Sequence, residues 1–339
     1  MKKLMNDPDR IVDEMVEGYA AAYPQYIRVL AESKRALVRP QLAPGKVGVV
    51  IGGGSGHEPG FMGYVGKGFA DGVAVGNVFA SPSPEPIVAV TKAVDQGAGV
   101  LYIYGNYAGD GMNFDMSAEL ASAMHGIRTE TVRITDDAAS APREQLEKRR
   151  GIAGFVLLFK VAGAASDMGY TLEQVAAVCR KANERTATMG VAVSPCTLPQ
   201  TGKQAFELAD DEIEIGLGIH GEAGMRRMKL GTADEVTDEL VGTLIDDLQL
   251  AGGDEVAVLV NSLGSTTMME QFVVYRRAAE LLAGRGVAVH RAYVGEYVTS
   301  MEMGGCSITI MKLDDELRRM IDYVADSPAF VQLGEERGE

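Results

Sequence analysis

The chain is 339 residues long, 46% hydrophobic and 23% charged, with a formal net charge of −15. That length supports two ordinary cores. So acidic a composition argues against a nucleic-acid or anionic-membrane partner, since even residues 143–150 mix Lys148, Arg149 and Arg150 with Glu144 and Glu147.

No apolar run of 18 residues occurs, and Lys2 and Lys3 precede no apolar segment, so no membrane span and a cytoplasmic location are expected. Cys179, Cys196 and Cys306 are widely spaced and odd in number; they fit no zinc pattern and read as reduced structural thiols. In chain order, 7–22 reads as a helix. Residues 46–51 read as a strand running into Gly52-Gly53-Gly54-Ser55-Gly56-His57-Glu58-Pro59, where glycines would let a small polar ligand approach bare backbone amides. This is not a dinucleotide fingerprint, because His57 stands where the third glycine is needed. No G-x-x-x-x-G-K-S/T phosphate loop occurs anywhere in the sequence.

Residues 81–86 form a proline-rich turn that launches a helix over 87–96. A strand over 99–104 delivers a second glycine-bounded loop, 105–111, then a helix from Met112 to about His125 and a strand over 129–134. This β-α-β-α alternation favours a largely parallel sheet with ligands at its C-terminal strand ends. Thr171-x-x-Gln174 has capping-box spacing for a helix that opens at Leu172 and stops before Gly190. There follow a strand over 191–194, an alternating segment over 213–220, a helix over 233–248, a strand over 255–261, a helix over 267–282, strands over 287–294 and 307–313, and a helix from Asp315. The tail, 334–339, reads as disordered. The expected fold class is α/β, with two α/β domains, 1–188 and 189–339, each a largely parallel or mixed sheet flanked by helices.

Three polar residues stand out. In 213–220 the apolar Ile213, Ile215, Leu217 and Ile219 alternate with Glu214, Gly216, Gly218 and His220, so period two sets His220 opposite the core face, available as a nucleophile or acid–base group. Asp110 sits where an N-cap is expected, worth ~1 kcal/mol to its helix, and could also engage a substrate hydroxyl. His57 lies opposite it if both follow neighbouring strands of one sheet. His125 and His290 have no such setting. Asp136-Asp137 and Asp254-Glu255 read as solvated pairs rather than a metal site.

Taken together, Gly-Gly-Gly-Ser-Gly-His57-Glu-Pro, Asn106-Tyr-Ala-Gly-Asp110-x-x-Asn113-Phe114 and Gly-x-Gly-Ile-His220-Gly-Glu-x-Gly224 resemble the dihydroxyacetone kinase family, specifically its K subunit or domain. Further matches run the whole length: Ser81-Pro-Ser-Pro, Arg149-Arg-Gly, Lys160-x-x-Gly-Ala-Ala, Ala192-x-x-Pro-Cys196-Thr and Asn261-x-Leu-Gly264. The resemblance implies a cytoplasmic, homodimeric ketose-binding subunit that holds its sugar covalently. The histidine matching His220 adds to the substrate carbonyl as a hemiaminal. Positions matching Gly54, Ser55, Gly56 and His57 line the sugar site, and those matching His57 and Asp110 bond the hydroxyl that attacks phosphorus.

No metal or nucleotide site is expected in this chain. The resemblance implies that phosphate comes from ATP with Mg²⁺, or from a phosphotransferase-system phosphoprotein, through an all-α nucleotide-binding L-type subunit. Two departures bear on the sugar: Gly105 stands where many family members carry a lysine, and the segment between Leu248 and Asp254 is short. Dihydroxyacetone, erythrulose and apulose are therefore all candidate ketoses. A ketose-sensing regulatory protein is the alternative from another class.

Overall fold

The computed structural model describes residues 2–334. In chain order its elements are α1 (Ile11–Ala22), β1 (Arg28–Leu30), β2 (Ser33–Val38), β3 (Gly48–Ser55), β4 (Gly72–Val78), α2 (Pro84–Val94), β5 (Val100–Gly105), α3 (Ala108–His125), β6 (Thr129–Ile134), α4 (Phe155–Asp167) and α5 (Leu172–Glu184). There follow β7 (Thr186–Ser194), β8 (Glu212–Ile215), β9 (Arg226–Lys229), α6 (Ala233–Asp247), β10 (Glu255–Ser262), α7 (Met268–Gly284), β11 (Ala288–Gly295), β12 (Gly304–Lys312), α8 (Asp315–Asp322), β13 (Ala325–Ser327) and β14 (Phe330–Gln332). Of the tail expected to be disordered, residues 335–339 lie outside the described residues.

The chain divides into two compact units, but not by a single cut near 188. One unit is built from 4–133, 156–182 and the segment from 315 on; the other takes the residues up to Lys3, 134–155 and 183–314. Side-chain bonds between distant segments account for part of this interleaving. Lys160 donates to the Tyr323 carbonyl at 2.5 Å and Lys181 pairs with Glu316, holding α8 and the segment after it to the unit that contains β3. The Asn183 side chain accepts from Thr135 N–H at 2.9 Å and donates to its hydroxyl at 2.7 Å, fixing 134–155 to the other unit.

The β3 unit has a six-stranded sheet in the order β1-β2-β4-β3-β5-β6. At its centre β3 is parallel to both β4 and β5, while β2 is antiparallel to β4. The three central strands deliver their C-terminal ends side by side, with α2 making the crossover from β4 to β5. At the opposite end of β3, the fully buried Asp71 receives Lys46 at 2.7 Å, Arg39 at 3.0 Å and the Val49 amide at 3.0 Å. A buried carboxylate is tolerated because both of its oxygens are met by donors, two of them cationic. Helix α4 is buried from Phe155 to Ser166, so it shows no amphipathic period and the sequence pattern did not reveal it.

The second unit has the order β11-β10-β12-β7-β8-β9, in which β10 and β11 are parallel and the other recorded pairs antiparallel. Its core joins Ile308 and Ile310 of β12 and Val256 and Val258 of β10 to Leu240 and Leu244 of α6. Helices α6 and α7 each open on a complete capping box, Thr232/Glu235 and Thr267/Glu270. The box expected at Thr171/Gln174 is present, with both reciprocal bonds made.

Strand β3 does not stop at Ile51. It continues through Gly52, Gly53 and Gly54 to Ser55, all buried. A Cβ on Gly52 would lie 2.8 Å from the Ala74 carbonyl oxygen and 3.1 Å from the Phe114 ring. Gly52→Ala should therefore destabilise the protein by about 1–3 kcal/mol, because the backbone of β4 cannot retreat without breaking the ladder. Thermal or urea unfolding checks this, and an unchanged midpoint would show that the close approach is not needed.

Candidate functional site

In the β3 unit, the site residues gather at the C-terminal ends of β4, β3 and β5. Past the strand, Gly56 adopts φ +96°, a left-handed geometry open to glycine, and its amide donates to both oxygens of Glu58 at 2.9 and 3.1 Å. That amide, expected to face a ligand, is thus engaged by the chain itself. Burial pushes the Glu58 carboxyl above its usual range, although these backbone donors pull the other way. The Ser55 hydroxyl donates to the Gly76 carbonyl at 2.8 Å.

His57 is 2% exposed. Its imidazole stacks on the Phe79 ring, with centroids 5.0 Å apart and planes 22° from parallel, and meets the Phe61 ring edge-on at 6.3 Å. The loop bearing Phe79 packs closely on the glycines: a Cβ on Gly54 would lie 2.7 Å from the Ala80 nitrogen and 3.0 Å from the Phe79 Cα.

Asp110 is not the N-cap. Helix α3 starts at Ala108 with Tyr107 as its cap residue, so Asp110 lies inside the first turn, buried, where a carboxylate still favours the helix dipole. The chain turns one residue beyond β5, and the Tyr107 amide closes that turn on the Gly105 carbonyl at 2.8 Å. The same end of α3 is tied to the Phe79 loop, since Asn113 donates to the Ser81 hydroxyl at 3.2 Å and to the Pro82 carbonyl at 2.8 Å. One loop, 79–82, therefore touches both the His57 and the Asp110 segments.

His220 belongs to the other unit, and its setting differs from the expected strand. β8 ends at Ile215, because Gly216 takes φ +76° and turns the chain out of extended geometry. His220 sits in a turn, partly exposed. Alternation also fails at Glu214, which is buried and accepts from the Gly224 amide at 2.7 Å and from Arg227 at 3.2 Å. The partner that fixes His220 is Glu222: one carboxylate oxygen lies 2.9 Å from the ring Nδ1, and the other accepts the His220 amide at 2.9 Å. Burial pushes the Glu222 carboxyl up. The hydrogen bond with the His220 ring, the charge that ring carries when protonated and the backbone amides outweigh this and bring it down to about 2.

Arg150 stands behind that pair, 4.0 Å from Glu222 and 2.8 Å from Asp137. Asp136 and Asp137 are buried, not solvated. Asp136 accepts the Ile152 and Gly154 amides at 2.8 Å, and burial holds its carboxyl above the usual range. Burial likewise pushes Asp137 to about 6 against the pull of Arg150. Sequence spacing pointed to neither Glu222 nor Phe79, since a carboxylate two residues past a histidine and an aromatic at a loop apex carry no signal of their own. Among the described residues, no group of three His, Cys, Asp or Glu side chains could hold a metal ion, and no helix is long and apolar enough to cross a membrane.

The Dak1 domain profile matches residues 17–329. The chain belongs to the dihydroxyacetone kinase family, as its K-type subunit. It is 50% identical over 331 residues, covering 97% of this chain and 99% of the other, to the dihydroxyacetone-binding subunit DhaK of PTS-dependent dihydroxyacetone kinase 2 from Listeria innocua. It is 45% identical to the D-erythrulose kinase of Mycolicibacterium smegmatis, covering 97% of this chain and 56% of that one. Among solved structures, it superposes on the dihydroxyacetone kinase operon co-activator DhaQ with a TM-score of 0.88 at 31% identity, covering 94% of this chain and 98% of that one. The fold is that of the dihydroxyacetone kinase K subunits, two mixed six-stranded sheets flanked by helices.

In this K subunit the Glu222 carboxyl is held below its unfolded value, so its contribution to stability is complete above about pH 4.5 and is lost as pH falls toward 2. Glu222→Gln should flatten the acid limb of the stability curve between pH 5 and pH 3, by about those pKa limits. Denaturant unfolding at several pH values reads this, and an unaltered acid limb would show that the His220–Glu222 contact is not formed in solution.

Proposed function

We propose that this chain is the ketose-binding subunit of a dihydroxyacetone-type kinase and holds its sugar covalently through His220. The observation that carries this is the bond from Glu222 to Nδ1 of His220. An Nδ1–H held by a carboxylate leaves the Nε2 lone pair as the nucleophile. Nε2 adds to the ketose carbonyl carbon, the carbonyl π electrons move to oxygen, and that oxygen takes a proton from solvent. The positive charge left on the ring faces the Glu222 carboxylate. Glycerol lacks an electrophilic carbon and is not trapped.

The family resemblance assigns His57 and Asp110 to the terminal hydroxyl, one of them taking its proton as phosphorus is attacked, with Gly54, Ser55 and Gly56 around the sugar. Phosphoryl transfer needs alignment and charge neutralisation. The second comes from a partner, an all-α subunit carrying ATP and Mg²⁺ or relaying phosphate from a phosphotransferase-system protein, because the sequence holds no phosphate loop. A cytoplasmic homodimer accords with this reading.

Intact-protein mass spectrometry of the chain incubated with dihydroxyacetone should show a retained adduct, absent in His220→Ala with the fold unchanged. An adduct that persists in His220→Ala contradicts the assignment. Asp110→Asn should keep the adduct and lose most turnover when the partner subunit is supplied, whereas a loss under about tenfold, ~1.4 kcal/mol, would make Asp110 chiefly structural.

Two alternatives have specific support. Erythrulose or apulose is favoured by Gly105, which offers no cationic side chain where the family often has lysine, and the similar D-erythrulose kinase accords with it. Gly105→Lys should shift relative kcat/KM toward dihydroxyacetone by about 1–3 kcal/mol in competition assays. A wild type that already prefers dihydroxyacetone more than about tenfold would refute the larger-ketose reading. A ketose-sensing regulator accords with the similarity to the co-activator, but sensing alone requires neither a positioned imidazole nucleophile nor the His57 and Asp110 pair.

A further inference from the structure

Phe79 has a backbone conformation that its side chain resists. Its φ is +53°, in the left-handed region that bulky residues rarely occupy. The conformation is held by packing on both sides. The Phe79 amide donates to the Ser55 carbonyl at 3.0 Å, Ala80 N–H closes on the Asn77 carbonyl at 3.0 Å, and Gly54 leaves no room for the loop to back away. A Cβ on Gly76 would lie 2.0 Å from the Ala80 carbonyl oxygen, so the loop is pinned at its base as well. A glycine would satisfy this backbone at no steric cost, yet the position holds an aromatic ring, and that ring lies flat on the His57 imidazole.

We infer that Phe79 is a positioning residue for His57: its strained backbone exists to present a flat ring that fixes the plane of the imidazole toward the substrate hydroxyl. This rests on the assignment of His57 under the proposed function. Phe61 meets the same imidazole edge-on, while Phe79 covers one of its faces and so opposes rotation of the ring about its bond to Cβ. Ser81, two residues on, is bonded by Asn113 of the helix that carries Asp110, so the same loop sets the hydroxyl-binding pair in register.

Three substitutions separate positioning from mere packing. Phe79→Gly relieves the steric strain of the positive φ while removing the ring, Phe79→Leu keeps bulk without a flat face, and Phe79→Tyr keeps the face. With dihydroxyacetone, ATP, Mg²⁺ and the partner subunit, kcat should fall at least about tenfold in Phe79→Gly and Phe79→Leu with KM within about twofold, and Phe79→Tyr should stay within about threefold of wild type. Phe79→Gly should melt no lower than wild type. The His220 adduct should persist in all three.

The chain has four histidines, so imidazole-labelled protein gives few ring signals, and His57 is assigned by its loss in His57→Asn. In the ligand-free chain the His57 ring protons should be shifted upfield by the Phe79 face, a shift kept in Phe79→Tyr and lost in Phe79→Leu and Phe79→Gly. An unchanged His57 signal in Phe79→Leu, or unchanged kcat in Phe79→Gly, overturns the inference. A wild type that neither binds nor turns over a ketose refutes the kinase reading instead, and the ring signal then still decides whether Phe79 fixes the imidazole.

Discussion

The site in the β3 unit depends on one steric constraint, the missing Cβ atoms at the end of β3. Gly52, Gly53 and Gly54 let β4, the Phe61 ring and the loop over 79–82 approach to distances that any side chain would forbid. Chain packed that closely has few alternative arrangements, because interiors are dense and side chains interdigitate without slack. His57 is therefore delivered two residues past the strand into a setting already fixed by its neighbours. The glycines serve the close approach of protein to protein, which leaves the segments after β3 and β4 little freedom to rearrange.

Buried charge supplies the second layer of order. Asp71 at the far end of β3 is closed off by Lys46, Arg39 and a backbone amide, and Lys46 bridges onward to Asp167 at 2.7 Å. In the other unit Asp136 is met by two amides and Asp137 by Arg150, which in turn faces Glu222. Removing one member of such a set strands the others in a poorly solvating interior, so these pairs define which arrangement of loops is tolerated more than they add net stability. Glu222 sits at the boundary of this network. It is near enough to solvent to remain a carboxylate and held firmly enough to orient a histidine ring.

The alternation of strands and helices, the capping box at Thr171/Gln174 and the helices over 233–248 and 267–282 were legible in the sequence. It misplaced the features that depend on non-local packing. The glycines after Ile51 looked like a turn because glycine usually punctuates a strand, yet here tight neighbours keep them in the ladder. His220 looked like part of a strand because alternation continued past Ile215, whereas Gly216 breaks it with a left-handed φ. Asp110 looked like a cap because aspartate favours caps, but the helix had begun two residues earlier. The Phe79 backbone and the return of Glu222 onto His220 are set by three-dimensional closure, and no local pattern announces either.

Covalent capture at His220 is the central claim, and isotope coupling tests it most directly. The chain is labelled with nitrogen-15 in its histidine rings and mixed with dihydroxyacetone carrying carbon-13 at the carbonyl position. The account predicts a bound tetrahedral carbon that shows one-bond coupling to a single imidazole nitrogen, Nε2 of His220, with no such coupling in His220→Ala. A bound ketose whose labelled carbon remains a ketone, or is tetrahedral without coupling to nitrogen, would contradict it.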